Sequence, residues 1–121
     1  MMVKKNVLGK KLEVCSLEPL TGYFRDGSCS HCETDSGQHT LCAEMTDEFL
    51  QFSKEKGNDL TTPRPEFNFS GLKAGDRWCL CASRWLESAD AGSAPAVILE
   101  ATNERALDVV EFSDLKYHAK L

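Results

Sequence analysis

The sequence has no long apolar run. The longest, at positions 94–99, is far too short to span a bilayer, which takes about 20 apolar residues in a helix. The N-terminus carries lysines without an apolar stretch after them, so it does not have the pattern of a secretory signal. These absences predict a soluble protein of the cytoplasm with no membrane contact. Thiols stay reduced there unless catalytic or sensing, so no permanent disulfide is expected among the six cysteines.

Positive charge is also scarce. Lysine and arginine number 14 against 19 acidic residues, which leaves a net charge of −5. Non-specific nucleic-acid binding needs basic surface to displace counterions from phosphates, so no nucleic-acid partner is expected. The sequence has neither a P-loop nor a dinucleotide-binding glycine pattern, and it contains no repeat or low-complexity tract.

The length and composition of the chain are typical of one globular domain. A chain of 121 residues with 41% hydrophobic and 27% charged residues predicts a single domain over 1–121. A chain of this length buries roughly two thirds of its unfolded surface, so its core does not require a metal or a disulfide.

Local patterns predict an α+β fold. Positions 77–82 alternate, which places Trp78, Leu80 and Ala82 on one face of a strand and Cys79 and Cys81 on the other. Further strands are predicted at 39–45, 96–100 and 107–111, and a helical turn at 102–105. Helices are predicted after the N-caps Thr46, Ser83 and Ser113, with staples between Met45 and Leu50 and between Phe112 and Tyr117. The mixed order indicates a small two-layer sandwich, with a short mixed or antiparallel sheet and helices packed on one face.

A long loop at 58–75 separates the first helix from the alternating strand. Loops of this length are uncommon in compact domains and are often functional. Phe67, Phe69 and Leu72 favour a covering loop that packs onto the core, and a contact surface for another protein is the alternative.

Seven segments carry a resemblance to a known family. They are NVLG at 6–9, LTGYFRDG at 20–27, HTLCA at 39–43, MTDEFL at 45–50, GNDLTTP at 57–63, GDRWCLCA at 75–82 and VILEAT at 97–102. Together, and in this order, they resemble the family of small, mostly bacterial proteins catalogued as domain of unknown function 2237.

The resemblance implies a two-layer α+β sandwich and no particular activity, cofactor or partner. It also implies that some thiols belong to the shared pattern and others do not. Cys32 and His31 fall outside that pattern, Ser28 stands where many members have a second cysteine, and Asn103 replaces a frequent histidine. The positions that match the family pattern are Cys15, Cys29, His39, Cys42, Cys79 and Cys81.

Zinc is the first chemical candidate. Cys29-x2-Cys32 followed by His39-x2-Cys42 has the local spacing of a zinc knuckle, because two-residue spacings let a turn direct both side chains at one ion. A non-local set is the alternative, and the resemblance favours it over a site that needs Cys32. Buried free thiols that serve as small apolar side chains are the competing interpretation. The candidate ligands are Cys29, His39, Cys42, Cys79 and Cys81.

Thiol redox chemistry is the second candidate. Cys79 and Cys81 share a strand face about 6.5 Å apart, near the upper limit for a disulfide, so a bond between them would be strained and reducible. Arg77 lies on the same face and lowers a thiol pKa if its guanidinium comes close. A Cys–His dyad that uses His39 or His118 is a third possibility.

A polar ligand pocket is the fourth candidate, built from Arg25, Asp26 and Arg77. Arginine binds carboxylate or phosphate in a fork geometry. The competing interpretation gives Asp26 a turn function and Arg25 an ion pair. Trp78 and Trp85 are predicted in the core, with a stacking platform for a ligand as the alternative.

The sequence therefore predicts a Cys/His site for a metal or small ligand, with zinc as the possible cofactor. An interaction module without catalytic chemistry is one alternative, and a cysteine-based redox sensor or enzyme is the other. No reaction is assigned.

Overall fold

The computed structural model describes residues 4–120. Within that range no helix is both long and apolar enough to cross a membrane. The strands are β1 (Leu41–Glu44), β2 (Arg77–Leu80) and β3 (Ala96–Val97); the helices are α1 (Asp47–Glu55), α2 (Ala82–Asp90) and α3 (Phe112–Tyr117). Three short 3-10 turns lie at Pro65–Phe67, Leu99–Ala101 and Glu104–Asp108.

The three strands form one antiparallel sheet in the order β2-β1-β3. Cys42 on β1 pairs with Cys79 on β2, and Ala43 on β1 pairs with Val97 on β3. A short antiparallel sheet combined with helices confirms the predicted α+β class.

The two faces of the sheet bury different side chains. Ala43, Trp78 and Leu80 belong to the main core, together with Phe49 of α1 and Trp85 of α2. The opposite face buries a separate cluster, whose members are Cys15, Cys29, Cys42, Cys79, Ile98 and Ala101. The predicted alternation along β2 is confirmed, since successive side chains of a strand point to opposite faces.

Helix α1 begins as its sequence predicts. The Thr46 hydroxyl accepts a hydrogen bond from the Phe49 N–H at 3.1 Å, so one of the free amides of the first turn is satisfied. Met45 and Leu50 are both buried on either side of this cap, which fits the hydrophobic staple.

The predicted caps of the other two helices are wrong. Helix α2 has Cys81 at its N-cap and Ser83 inside its first turn, because the strand ends at Leu80 and the Cys81 carbonyl already accepts from the Trp85 N–H at 3.1 Å. Helix α3 has Glu111 at its N-cap, so Ser113 also lies inside the helix. Tyr117 is 84% exposed, which excludes the second staple.

The C-terminal third contains less strand than predicted. Strand β3 covers Ala96–Val97 alone, and positions 107–111 form no strand. The Asn103 side chain instead accepts from the Arg105 N–H at 2.9 Å and caps the 3-10 turn that follows. Ala106 and Val110 are buried while Leu107 is exposed, so the apolar positions repeat with helical rather than strand spacing.

The loop at 58–75 divides its apolar residues between core and surface. Leu72 is buried, and Phe69 packs against Trp78 with 5.3 Å between ring centroids. Phe67 is 69% exposed. Two of the three apolar side chains that were predicted to pack onto the core, Phe69 and Leu72, therefore do so, and Phe67 does not.

Candidate functional site

Cys42 and Cys79 start side by side on neighbouring strands. The Cys42 N–H donates to the Thr102 hydroxyl at 3.1 Å, and the Cys42 carbonyl accepts from the Ile98 N–H at 2.8 Å. Both backbone groups thus point away from β2, which makes Cys42 and Cys79 a non-hydrogen-bonded pair. Side chains of such pairs approach each other most closely.

Each of these cysteines forms a disulfide with the N-terminal segment. Cys15 bonds to Cys42 across a sequence separation of 27, and Cys29 bonds to Cys79 across 50. The expectation of no permanent disulfide is wrong for this structure. Amino-acid composition indicates a cellular compartment, but it does not show which cysteines the fold brings within bonding distance.

The two disulfides adjoin. The Sγ atoms of Cys15, Cys29 and Cys79 all lie within 4.8 Å of one another. Cys15 is 4% exposed and the other three cysteines 1% or less. We refer to Cys15, Cys29, Cys42 and Cys79 as the thiol cluster.

Two buried threonines anchor the strand side of the thiol cluster. The Cys79 N–H donates to the Thr21 hydroxyl at 2.9 Å, and the Thr102 hydroxyl donates to the Ile98 carbonyl at 2.8 Å. Both side chains are fully buried. These bonds satisfy backbone groups that a normal strand partner does not reach, so the threonines position the thiols.

A glycine shapes the loop side. The Gly27 carbonyl accepts from the Cys15 N–H at 2.8 Å, and the residue has φ of +93°. A Cβ added there would lie 2.7 Å from Leu17 Cδ2. Gly27 therefore combines a left-handed backbone with close packing, and this combination brings Cys15 to the sheet.

The structure brings together some of the predicted metal ligands and not others. Cys29, Cys42 and Cys79 are in the thiol cluster, whereas His39 pairs its Nδ1 with an Asp35 carboxylate oxygen at 2.8 Å. Within residues 4–120, the close group of ligand atoms includes neither His39 nor Cys81. The candidate ligands left out Cys15, although it matches the family pattern; its tertiary contacts show that it belongs with the other three thiols.

The predicted Cys79–Cys81 pairing is not formed. Cys79 is bonded to Cys29, and the Cys81 sulfur lies 3.2 Å from the Ser83 hydroxyl. Arg77 faces Glu44 across the strands in the ladder register. The zinc knuckle is also absent within the described residues, because Cys29 and Cys42 bond to partners outside it.

Among residues 4–120, the candidate Cys–His dyads do not form around a free thiol. His118 packs edge-on against Trp85 in the main core, with 5.3 Å between ring centroids. His39 lines a cleft together with Cys79, but that sulfur is in a disulfide.

Cys32 is a free thiol with a shifted acidity. Its sulfur lies 3.0 Å from the Thr34 hydroxyl, and this hydrogen bond lowers the pKa of Cys32 by stabilising the thiolate. Cys81, the second free thiol of the described chain, has the Ser83 hydroxyl as its partner at a longer distance of 3.2 Å.

We expect Cys32 to react faster than Cys81 with iodoacetamide at neutral pH, since the thiolate is the nucleophile. Thr34→Val removes the hydroxyl at similar volume and should slow alkylation of Cys32 by about two- to tenfold, while Cys81 is unchanged. Peptide mass spectrometry over a time course measures both rates. Equal rates in the parent protein would contradict the hydrogen-bond account.

A cleft of about 550 Å³ opens beside the thiol cluster. Arginine and aromatic side chains both line the cleft, and two of them are in contact: the Arg25 guanidinium carbon lies 5.0 Å from the Trp78 ring centroid. Of the three predicted polar-pocket residues, only Arg25 lines this cleft. Asp26 instead accepts from the Ser28 N–H at 3.0 Å, which is the predicted turn function, and Arg77 lines a separate groove. The lining residues are Gly22, Tyr23, Arg25, His39, Asp59, Leu60, Arg64, Phe67, Phe69, Trp78 and Cys79.

Asp59 is the acidic residue of the cleft lining. Hydrogen bonds from Thr62 and Thr61 to its carboxylate lower the pKa of Asp59 far below its usual range. The carboxylate is therefore ionised and engaged within its own loop.

Comparison with known proteins places nearly the whole chain in one family. A family model described as "Uncharacterized protein conserved in bacteria (DUF2237)" matches residues 5–119. No curated protein matches the chain significantly. The predicted family is thus confirmed.

Proposed function

The chain belongs to the family of domain of unknown function 2237, and we propose that it is a thiol-based zinc protein. Its thiol cluster alternates between a zinc-bound reduced form and an oxidised form with two disulfides. The observation that supports this is the contact of two buried disulfides whose sulfurs come from four separate segments.

Three of the four cluster sulfurs lie close enough to share one tetrahedral ion. Zinc–thiolate bonds of 2.3 Å in a tetrahedron separate neighbouring sulfurs by about 3.8 Å. Three of the cluster sulfurs lie within 4.8 Å of one another. Cys42 lies outside that group and its Sγ is bonded to Cys15 at 2.05 Å, so its side chain must rotate toward the other three sulfurs once the two sulfur–sulfur bonds are cleaved.

Burial favours a closed site. The cysteines are packed with Ile98 and Ala101 and have almost no solvent exposure. Four protein thiolates without an open position are the ligand set of structural zinc sites. Bare thiolates would be costly in this apolar environment, and a divalent cation offsets that cost.

Reduction and oxidation of the thiol cluster each transfer two electrons per disulfide. A dithiol reductant attacks each disulfide, becomes a disulfide itself and leaves two cluster thiols, so two equivalents give four thiols. Zinc binding then displaces the thiol protons. In the reverse direction, each peroxide molecule takes two electrons from two thiolates and two protons from solvent, forms one disulfide and becomes two waters, so two equivalents oxidise the cluster and free the ion.

A reducing compartment such as the cytoplasm would favour the zinc form, since dithiol systems keep thiols reduced there. An oxidant then becomes the signal that releases zinc and forms the disulfides. The role that we propose is therefore that of a redox-responsive metal site.

Metal analysis tests the proposal. Untagged protein, reduced and incubated with zinc before desalting under argon, should retain about one zinc per chain. Cys29→Ser and Cys79→Ser should each reduce the retained zinc at least tenfold after a competing chelator. Cys32→Ser and Cys81→Ser are matched controls, because both residues are thiols outside the cluster.

Treatment of the zinc-loaded protein with peroxide tests whether oxidation releases the metal. In the Cys32→Ser/Cys81→Ser double variant, which lacks the two thiols outside the cluster that peroxide could also oxidise, treatment should release the zinc as the free-thiol count falls from four to none. Zinc below a tenth of an equivalent in the reduced protein, or retention that depends on Cys32, would overturn the proposal.

A further inference from the structure

We propose that the cleft binds a flat aromatic carboxylate. Binding at this cleft does not require zinc at the thiol cluster.

The cleft has the size of a small-molecule site. Its volume of about 550 Å³ falls within the range of roughly 300–1,000 Å³ typical of ligand pockets. Aromatic rings provide much of the wall: Trp78 and Phe69 are packed against each other, and Tyr23 and Phe67 remain 41% and 69% exposed. Exposed aromatic rings around a concavity favour an apolar ring as the occupant.

The charge of the cleft selects an anion. Arg25 and Arg64 both line it, and the chain as a whole is acidic. Among the described residues Arg25 makes no ion pair, and Arg64 reaches Glu66 only at 4.0 Å. These guanidinium groups therefore keep donors for a ligand.

Asp59 offsets only part of this positive charge, because the lining contains two arginines and one carboxylate. Its carboxylate oxygens accept from the N–H groups of Thr61 and Thr62 and from both threonine hydroxyls. The carboxylate is thereby turned to its own loop. Its hydrogen bonds within the loop leave Arg25 and Arg64 as the charged lining residues that attract an anion.

The arrangement of Arg25 favours a carboxylate attached to a ring. Its guanidinium lies over Trp78 and donates to the Gly22 carbonyl at 2.9 Å, which leaves further N–H donors of the fork unpaired. A ring stacked along the aromatic wall would place its carboxylate at this fork, where two parallel hydrogen bonds are possible.

The thiol cluster supports one wall of the cleft. Gly22, Tyr23 and Arg25 lie in the segment between Cys15 and Cys29, and Cys79 itself is a lining residue. In metal-free protein, reduction should therefore loosen this wall and weaken ligand binding. The zinc proposal is not needed for the oxidised protein to bind.

Fluorescence titration of oxidised, metal-free protein tests the site. The probe is anilinonaphthalene sulfonate, an aromatic anion, and its matched control is N-phenylnaphthylamine, which has the same rings without the charge. We expect the anion to bind at least about tenfold more tightly and to be displaced by naphthoate, the aromatic carboxylate. Inorganic phosphate at the same concentration should not displace it.

Variants assign the binding to this cleft. Arg25→Gln and Arg64→Gln should each raise the probe Kd by about fivefold or more. Arg105→Gln is the matched control, because Arg105 pairs with Asp108 outside the cleft. Circular dichroism verifies that each variant is folded.

Equal affinity for the neutral probe would overturn the proposal, as would failure of naphthoate to displace the anion. An unchanged Kd in both arginine variants would equally reject this cleft as the site. None of these results depends on zinc, so they leave the metal proposal to its own experiment.

Discussion

Complete reduction of the protein in the presence of a chelator is expected to lower its free energy of unfolding by several kcal/mol. Loop-closure entropy assigns about 3.5 kcal/mol to a crosslink that spans 27 residues and about 4 kcal/mol to one that spans 50. The combined loss should be smaller than the sum, because the two loops overlap between positions 29 and 42 and the first crosslink already restricts the second. Urea denaturation with and without a thiol reductant measures the difference.

The structure explains why this effect should be large. Residues 4–40 contain no helix or multi-residue strand, only isolated bridges. Both disulfides attach this segment to the sheet. The main core on the other face does not contain the thiol cluster and should persist, so the reduced protein should retain α1 and α2 in circular dichroism.

The control for this prediction is the Cys32→Ser/Cys81→Ser double variant, which keeps both disulfides and removes the thiols that could exchange with them. It should match the parent protein within about 0.5 kcal/mol when oxidised and lose the same stability on reduction. A change of less than 1 kcal/mol on reduction would contradict the account.

Zinc should restore most of that stability to the reduced protein. A ligand that binds only the folded state at a thousand times its Kd adds about 4 kcal/mol. We therefore expect zinc to return the urea midpoint of the reduced, chelator-free protein close to that of the oxidised form. The oxidised protein should show little response, because its cluster sulfurs are paired.

Two comparisons make the zinc result specific. Magnesium, which prefers oxygen ligands, should have no effect on the reduced protein. The Cys29→Ser/Cys79→Ser double variant keeps two cluster thiols and should lose most of the zinc response, whereas the Cys32→Ser/Cys81→Ser variant should keep it. Stabilisation by zinc that survives removal of Cys29 and Cys79 would assign the effect to another site.

Local sequence patterns predicted the parts of the fold that local chemistry controls. The alternation from Trp78 to Ala82 gave the correct faces of β2, and Thr46 with its flanking apolar residues gave the start of α1. In both cases the deciding contacts lie within a few residues along the chain.

Sequence patterns gave wrong predictions where contacts between residues far apart in the chain determine the local structure. The apolar residues at 107–111 have strand composition, but the Asn103 side chain caps a 3-10 turn there and the sheet ends at β3. The same limit applies to the site. Cys42 and Cys79 were among the predicted ligands, but the inclusion of Cys15 depends on Gly27 and on the strand register, and neither is visible in cysteine spacing.

X-ray absorption at the zinc edge of the reduced, zinc-loaded protein tests the central claim most directly, because it counts and identifies the atoms bound to the metal. Zinc held by the thiol cluster predicts four sulfur neighbours at about 2.3 Å and no nitrogen or oxygen ligand. A shell that contains imidazole nitrogen or carboxylate oxygen, or fewer than three sulfurs, would contradict it.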